Sequence, residues 1–331
     1  MGAMTDLLAR FPRAVLGHWP TPLERAERLS AALGGPEIWI KRDDCTGLAI
    51  GGNKTRKLEF LLGRALAEGH GTVVTFGAVQ SNHARQTAAA CARLGLRCEL
   101  LLSRSVPRDD ALYETSGNVL LDHLLGANVR IVDGIDETVK ALEEIGPACV
   151  IPPGGSNATG ALGYVGAALE LAGQLAAPGG PGRVDRVVAA TSTAGTSAGL
   201  VVGLAHAGLP ARVEAICVYE PADVTSATLE ALVEETADLV GMARPTGDHR
   251  VRDDWFGAGY GLPTAAMTEA VRLFARTEGL LLDPVYSGKA AAGLVGMVRA
   301  GEIGADETVV FWHTGGSPGL FVYPEVFTEP S

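Results

Sequence analysis

Lys54 is the residue whose position most suggests chemistry. It directly follows the turn Gly51-Gly52-Asn53 and precedes an amphipathic run that extends to Leu66. A glycine-rich turn lets backbone approach a ligand closely. Burial there, or a neighbouring cation such as Arg56 or Lys57, would lower the pKa of the amine and make it a nucleophile toward carbonyls. Taken alone, the segment also fits a solvated lysine after an ordinary turn.

A second cluster, Gln80-Ser81-Asn82-His83, follows the predicted strand 72–76 and opens a predicted helix. An N-cap explains one of these residues, because Ser81 or Asn82 could accept from the first helical N–H groups. It does not explain four polar side chains in a row at the carboxyl end of a strand. We therefore interpret this segment as part of a ligand site.

A third cluster, Thr191-Ser192-Thr193-Ala194-Gly195-Thr196-Ser197, joins the predicted strand 184–190 to the next helix. Small residues, hydroxyl groups and a helix N-terminus together suit an anion. The segment matches neither the dinucleotide fingerprint nor the Walker pattern, so a single phosphate group is sufficient. A plain helix cap is the alternative.

Two more clusters stand at the ends of predicted elements. Asp283-Pro284-Val285-Tyr286-Ser287 precedes an apolar helix, and Trp312-His313-Thr314-Gly315-Gly316 ends the last strand. Tyr260 lies in a glycine-rich loop. Each tyrosine by itself is typical of a half-buried packing residue, and His313 is typical of a core histidine.

Short apolar strands alternate with longer periodic helices between these clusters, which predicts parallel sheets covered on both faces. Several of the clusters fall where such strands end and helices begin, which is where open α/β sheets bind ligands. The predicted strands span 38–42, 72–76, 98–102, 129–132, 149–151, 184–190, 213–218 and 308–312. The predicted helices span 56–68, 83–94, 117–125, 137–145, 160–175, 197–207, 226–239, 265–277 and 288–299.

Length and composition limit the kinds of protein this chain can be. A chain of 331 residues predicts two domains. The net charge of -11 argues against nucleic acid or anionic membranes as partners. We expect no membrane span and no secretory signal. Five scattered cysteines without a paired spacing favour a reducing, cytoplasmic compartment, and no metal-ligand spacing is present.

The motifs, in this order, resemble the D-cysteine desulfhydrase, L-cysteate sulfo-lyase and 1-aminocyclopropane-1-carboxylate deaminase family. The resemblance covers nearly the whole chain. Its most specific parts are Ile40-Lys41-Arg42-Asp43-Asp44, Gly51-Gly52-Asn53-Lys54, Gln80-Ser81-Asn82-His83 and Asp283-Pro284-Val285-Tyr286. It implies a pyridoxal 5'-phosphate enzyme of the tryptophan-synthase-β-like fold (fold type II). That fold has two domains, each with a mostly parallel sheet flanked by helices.

The resemblance also implies a role for each cluster. Lys54 would form the Schiff base with the cofactor, and Thr314 would face the pyridine nitrogen. As a neutral partner, Thr314 would make the ring a weaker electron sink, which favours expulsion of a Cβ group. The other implied cofactor residues are Asn53, Asn82 (at the phenolic oxygen) and, at the phosphate, Thr193, Ala194, Gly195 and Thr196. The implied substrate residues are Ser81, Asn82, His83, Tyr260 and Tyr286; of these Ser81, Tyr260 and Tyr286, with Lys54, are the catalytic candidates.

These roles predict α,β-elimination from a cysteine-type amino acid, L-cysteate or D-cysteine. The freed amine of Lys54 would remove the Cα proton, and sulfite or sulfide would leave, giving pyruvate and ammonia. Cyclopropane deaminases typically carry Glu where this chain has Ser287 and Leu where it has Thr314, so both positions favour cysteine-type elimination. Cys45-Thr46-Gly47, Thr55 and Ser287 resemble the cysteate lyases more closely than the D-cysteine enzymes.

Other functions remain open at this point. They are cyclopropane-acid deamination, β-replacement on the same fold, a non-enzymatic cofactor-binding protein and a nucleotide-binding α/β protein. The resemblance further implies a small amino-acid substrate and a homodimer. We expect a larger cofactor-binding domain of residues 1–57 and 165–331, with a smaller domain, 58–164, inserted in it and the active site in the cleft between them.

Overall fold

The computed structural model describes residues 6–245 and 248–328. Within these residues, apolar strands form two sheets and helices cover both faces of each sheet. The strands are β1 (Leu23–Arg25), β2 (Glu37–Arg42), β3 (Thr72–Ala78), β4 (Arg97–Ser103), β5 (Asn128–Ile131), β6 (Cys149–Ile151), β7 (Arg186–Thr191), β8 (Arg212–Cys217), β9 (His249–Arg252) and β10 (Thr308–His313).

All nine predicted helices are present, and the described residues form four short helices that the prediction missed, the first, second, fifth and last. The helices are α1 (Asp6–Ala9), α2 (Glu27–Leu33), α3 (Lys54–Ala67), α4 (Asn82–Leu94), α5 (Ala111–Thr115), α6 (Gly117–Leu124), α7 (Ile135–Ile145), α8 (Ala158–Leu175), α9 (Gly195–His206), α10 (Ala222–Val240), α11 (Ala265–Glu278), α12 (Ser287–Arg299) and α13 (Pro324–Phe327).

The larger sheet has the order β1-β2-β10-β7-β8-β9. Only its β1–β2 pair is antiparallel in the described part of the chain. Alternate residues of β7 enter opposite helix layers: Val187 and Ala189 pack with α8, α9 and α10, whereas Val188 and Ala190 pack with α2, α11 and α12. Burial on both faces explains why this strand is a continuous apolar run.

The smaller sheet has the order β5-β4-β3-β6 and is parallel throughout its described strands. Helices α3 and α4 cover one face, where Leu58 and Ala84 pack against Val73. Helix α7 covers the other face, where Ile145 packs against Val74. The predicted fold class, α/β with two mostly parallel sheets flanked by helices, is confirmed.

All predicted strands are present, with ends shifted by no more than two residues. The prediction missed β1 and β9, because short edge strands rich in charged residues carry no apolar run. Several helices begin before their predicted start, because their first turns contain polar or small residues rather than the apolar repeat. One such shift matters for the site, since Lys54 becomes the first residue of α3 instead of preceding it.

The two sheets follow the predicted order along the chain, with β3 to β6 forming the smaller one. The boundaries at 57/58 and 164/165 stay a prediction, because α3 and α8 span them and pack directly against each other. The predicted larger domain also includes residues 1–5, 246–247 and 329–331, which lie outside the described residues.

Candidate active site

A cleft of about 570 Å³ lies where the carboxyl ends of β3, β4, β7 and β10 face each other. Its volume is typical of a small-molecule site. The structure brings every predicted site residue to this one cleft: Asn53, Lys54, Ser81, Asn82, His83, Thr193, Ala194, Gly195, Thr196, Tyr260, Tyr286 and Thr314.

The Lys54 amine lies in the wall of the cleft, at the start of α3. Burial lowers the pKa of Lys54 to about 8, so a far larger fraction of the amine is neutral and nucleophilic near neutral pH than for an exposed lysine. Of the two neighbouring cations, Arg56 turns away from the cleft and pairs with buried Asp43 at 2.8 Å. Lys57 stays beside the cleft.

The turn before Lys54 requires glycine at both positions. Gly51 has φ +70°, and a Cβ there would lie 1.9 Å from the carbonyl oxygen of Asp44. Gly52 has φ +131°, and a Cβ there would lie 2.5 Å from Gln86 Nε2. Asn53 then links the turn to the larger sheet, since its backbone N–H donates to the Thr314 carbonyl at 3.0 Å. The turn therefore positions Lys54 beside the end of β10.

The N-terminus of α9 forms an anion cradle. Ala194 adopts φ 59° just before the helix begins at Gly195, and Thr193 Oγ1 lies 2.7 Å from Ser156 Oγ. A Cβ at Gly195 would approach within 3.0 Å of Lys57 Nζ, so only glycine leaves this space open. Backbone N–H groups, hydroxyls and an ammonium around an open space suit a phosphate group.

Lys57 is a cradle residue that the motif analysis considered only as a neighbour of Lys54. Its Nζ donates to the Gly154 carbonyl at 3.1 Å and to Ser156 Oγ at 3.0 Å. Burial and then the nearby Lys54 amine hold the pKa of Lys57 well below its usual value. An anion in the cradle would stabilise its charged form. The sequence did contain a signal for the position of Lys57, because a residue three positions after Lys54 lies on the same face of the helix.

Ser81, Asn82 and His83 begin α4 at the edge of the cleft. Ser81 is also the N-cap, since its Oγ accepts from Ala84 N–H at 3.1 Å. His83 Nε2 lies 2.8 Å from Thr75 Oγ1. The Thr75 hydroxyl proton is already donated to the Ile151 carbonyl at 2.9 Å, so Thr75 accepts from Nε2–H and leaves His83 Nδ1 as an acceptor.

His83 is neutral in this environment. Burial, followed by the charges of Lys54 and Lys57, holds the pKa of His83 well below its usual value. Its Nδ1 has no hydrogen-bond partner among the described residues. A neutral, acceptor-only nitrogen beside the cleft can receive a hydrogen bond from a ligand.

Tyr260 and Tyr286 form a hydroxyl pair across the cleft, with their oxygen atoms 2.5 Å apart. Burial raises the pKa of both phenols above the usual value, so both stay protonated. One hydroxyl donates to the other, and the second keeps its proton for a ligand. Tyr219, which the motif analysis missed, packs edge-on to Tyr260 at 5.1 Å between ring centroids. Buried Lys289 supports the Tyr260 loop by donating to the carbonyl of Gly259 at 2.9 Å.

The last strand contributes a hydroxyl and a structural histidine. Thr314 lines the cleft directly after β10. His313 is buried in the core and its Nδ1 accepts from Gly315 N–H at 3.2 Å, as expected for a core histidine. Ser287 is fully buried and donates to Asp283 Oδ1 at 2.6 Å, so it shapes the start of α12 rather than the wall of the cleft.

The donor set fits pyridoxal phosphate. One end of the cleft presents an amine that can bond to an aldehyde, and another presents an open anion cradle. Thr191, which lines the cleft beside the cradle segment, has a buried Oγ1 without a hydrogen-bond partner among the described residues. The loop after β6, with Gly154 and Ser156, completes the cradle. The only sequence signal that this loop belongs to the site was its position at the carboxyl end of a strand.

Comparisons with known proteins agree with this fit. Residues 15–315 match the family described as pyridoxal-phosphate dependent enzyme. D-cysteine desulfhydrase of Salmonella choleraesuis is 44% identical over 324 residues, covering 96% of this chain and 97% of that protein. 1-Aminocyclopropane-1-carboxylate deaminase of Burkholderia vietnamiensis is also 44% identical, over 337 residues, covering 97% and 99% of the two chains.

The fold is similar as well. A crystal structure described as an ACC deaminase homologue superposes with a TM-score of 0.87 at 39% identity, covering 98% of both chains. Within the described residues, no helix is long and apolar enough to cross a membrane. With a family match over most of its length, relatives covered almost completely and a cleft that suits the cofactor, this chain belongs to the pyridoxal-phosphate dependent enzyme family.

Proposed function

We propose that this enzyme is a lyase that eliminates a thiol from a cysteine-type amino acid, with D-cysteine as the first candidate substrate. The observation that carries the proposal is the convergence of a lysine amine and a tyrosine hydroxyl pair on one cleft. Lys54 is suited to accept a proton, and the Tyr260–Tyr286 pair is suited to donate one. Elimination across the Cα–Cβ bond needs both functions.

Side chains of the cleft have separate roles in this reaction. When bound, the cofactor supplies an electron-withdrawing ring that stabilises negative charge at Cα. Lys54 would remove the Cα proton once the substrate amine has replaced it. Ser81 and the backbone N–H groups at the start of α4 would hold the carboxylate, and a tyrosine hydroxyl would protonate the departing sulfur. Thr314 would face the ring nitrogen with a neutral hydroxyl.

The charges along the cleft favour a thiol over a sulfonate. In the described part of the chain, the cationic side chains that line the cleft are Lys54 and Lys57. Lys54 serves the cofactor and Lys57 is directed at the cradle. Tyrosines, serines and threonines line the remaining polar wall, and these neutral donors suit a thiol. A sulfonate keeps its negative charge and would require a cation.

The positions that resemble cysteate lyases do not add such a cation. Thr46 and Thr55 are buried behind the glycine turn, where Thr46 Oγ1 accepts from Gly52 N–H at 2.9 Å and lies 3.3 Å from Thr55 Oγ1. They therefore act on the shape of the turn. The deaminase alternative requires a direct test, because a relative with that name is as similar to this chain as the D-cysteine enzymes are.

One assay series separates these functions. Pyruvate release is measured from D-cysteine, L-cysteine, L-cysteate and 3-chloroalanine, and ketobutyrate release from the cyclopropane acid. We expect the highest kcat/KM for D-cysteine. Higher turnover of L-cysteate or the cyclopropane acid would refute the thiol proposal, and products that appear only with an added thiol would indicate β-replacement. Lys54→Ala should abolish turnover and the visible absorbance of the bound cofactor.

We further infer a homodimer that works in the cytoplasm. The cysteines at 45, 91, 98, 149 and 217 are all free thiols in the structure, which suits a reducing compartment. Size-exclusion chromatography with light scattering tests the dimer, and a monomeric mass would refute it. Fractionation of cells that express the chain tests its location.

A further inference from the structure

One buried guanidinium connects two sides of the cofactor cleft. Arg85 lies in α4, one turn after Asn82, and is fully buried. Its Nε donates to Asn118 Oδ1 at 2.9 Å, and its Nη2 donates to the Gly51 carbonyl at 3.1 Å. Its Nη1 donates to the Ala49 carbonyl. Arg85 therefore contacts both the turn before Lys54 and the helix that supports Asn82.

The turn that Arg85 holds is conformationally costly. Ala49 and Ile50 have φ values of 43° and 70°, and Gly51 and Gly52 continue with positive φ. A β-branched residue such as Ile50 rarely adopts this conformation, because it is strained for any residue with a Cβ. Such a segment persists only where its surroundings fix it. The two carbonyl contacts of Arg85 fix both ends of the strained part.

The same guanidinium sets the orientation of two amides. A guanidinium has only donors, so Asn118 must present Oδ1 to it. Asn118 Nδ2 then donates to the Gln80 carbonyl at 3.0 Å and to Asn82 Oδ1 at 3.0 Å, which uses both of its hydrogens. Asn82 accepts there with its oxygen, so Nδ2 is the end of its amide left for the cleft.

We propose that Arg85 and Asn118 are positioning residues that make Asn82 a hydrogen-bond donor toward the cofactor while holding the turn of Lys54. The proposal rests on the proposed contact between Asn82 and the cofactor's phenolic oxygen. In this chain of hydrogen bonds Arg85 donates to Asn118, Asn118 donates to Asn82, and Asn82 donates to the cofactor. Without the donor from Asn118, nothing keeps the Asn82 amide from turning over, which would place Oδ1 instead of Nδ2 against the phenolic oxygen.

Asn118→Asp tests this directly. The carboxylate still accepts from Arg85 but has no hydrogen for Asn82, so the Asn82 amide must turn over to donate to it. We expect the cofactor absorbance to move from the visible band toward the near ultraviolet, because the phenolate loses its donor. The cofactor dissociation constant should rise roughly tenfold or more, as expected for loss of one hydrogen bond to a charged group.

The matched control is His123→Asp, which adds a carboxylate to the exposed side of the same helix, α6. It should leave the spectrum unchanged. The single variant Asn82→Ala and the double variant Asn82→Ala/Asn118→Asp complete a cycle. If Asn118 acts through Asn82, the second substitution changes the spectrum no further once Asn82 is gone.

The outcomes separate the two ideas. If Asn82→Ala leaves cofactor affinity and spectrum unchanged, the proposed Asn82 contact is wrong. If Asn82→Ala alters them and Asn118→Asp does not, or if the two effects simply add, the positioning role is wrong. Should Asn118→Asp not accumulate as folded protein, Asn118→Ala carries the same test, because it removes the donor to Asn82 without adding a charge.

Discussion

Replacement of Asp43 by Asn should destabilise this enzyme strongly although Asp43 lies behind the cleft. Asp43 is fully buried and accepts five hydrogen bonds. Two come from Arg56, at 2.9 and 2.8 Å, and one from the Trp312 indole at 2.8 Å. The others come from the hydroxyls of Thr21 and Tyr164, at 3.0 and 2.6 Å.

The magnitude follows from these contacts. An amide nitrogen in place of either oxygen removes at least two of these hydrogen bonds. It also removes the fully buried carboxylate charge that faces Arg56, which then keeps Glu170 as its anionic partner. Breaking a buried ion pair in this way costs about 3–5 kcal/mol. At about 2 °C per kcal/mol for a chain longer than 250 residues, Tm should fall by roughly 6–10 °C.

The stabilisation of the folded state by Asp43 depends on pH in a defined direction. Burial opposes ionisation of Asp43, but Arg56, Lys41 and the Trp312 hydrogen bond together outweigh it and hold the pKa of Asp43 below its usual value. A lowered carboxyl pKa stabilises the folded state above the unfolded value, 3.8, and this contribution is lost as the pH falls through the folded value. The difference in Tm between Asp43→Asn and the parent protein should therefore narrow only at pH below about 4.

The assay is thermal unfolding of cofactor-free protein, so that ligand binding does not contribute to Tm. Glu269→Gln is the matched control, because it removes one carboxylate from an exposed pair with Arg299 whose side chains are 55% and 54% exposed. Such a pair contributes at most about 1 kcal/mol. A Tm for Asp43→Asn as close to the parent value as that of Glu269→Gln would refute the reasoning.

Three further predictions concern the lysines of the site. Lys57→Met should raise the cofactor dissociation constant, measured by fluorescence titration, about ten- to a hundredfold. That factor corresponds to the loss of one charge-assisted hydrogen bond. An unchanged dissociation constant would exclude Lys57 from the anion cradle. Lys289→Met should lower kcat/KM with little loss of cofactor affinity, because it frees the carbonyls of Phe256 and Gly259 that fix a tyrosine loop; equal losses of both would contradict this. The rate of cofactor uptake by cofactor-free protein should rise with pH and level off above about 8, because that is the lowered pKa of Lys54. The titratable neighbours of Lys54 are Lys57 and His83. A rate that continues to rise past pH 10 would contradict the burial of the Lys54 amine.

The local elements of the fold were predictable because their causes are local. Apolar runs such as β7 and β10 are buried on both faces, so their sequences differ from those of the helices around them. The edge strand β9 (His-Arg-Val-Arg) escaped prediction, because its position is set by pairing with β8 and not by its own composition.

The residues of the site were predictable for a related reason. The clusters at Gln80, Thr191 and Thr314 stand at the ends of strands, and parallel strands bring their carboxyl ends to one edge. Glycines, hydroxyls and polar side chains in that position can be recognised one segment at a time. The loop of Gly154 and Ser156 was missed, because its small residues become an anion site only when Lys57 lies opposite.

The amino-acid sequence by itself therefore determined the parallel α/β architecture, because periodicity, turn chemistry and helix capping act within a few residues. For the same reason it singled out Lys54 and a set of polar segments as candidates for a ligand site. Only the tertiary structure decided which groups meet. Burial of Lys54, the paired tyrosine hydroxyls and the Arg85–Asn118–Asn82 chain join residues that are distant along the chain. The desolvation of a group and the direction of its hydrogen bonds depend on such neighbours, so both are set only when the chain has folded.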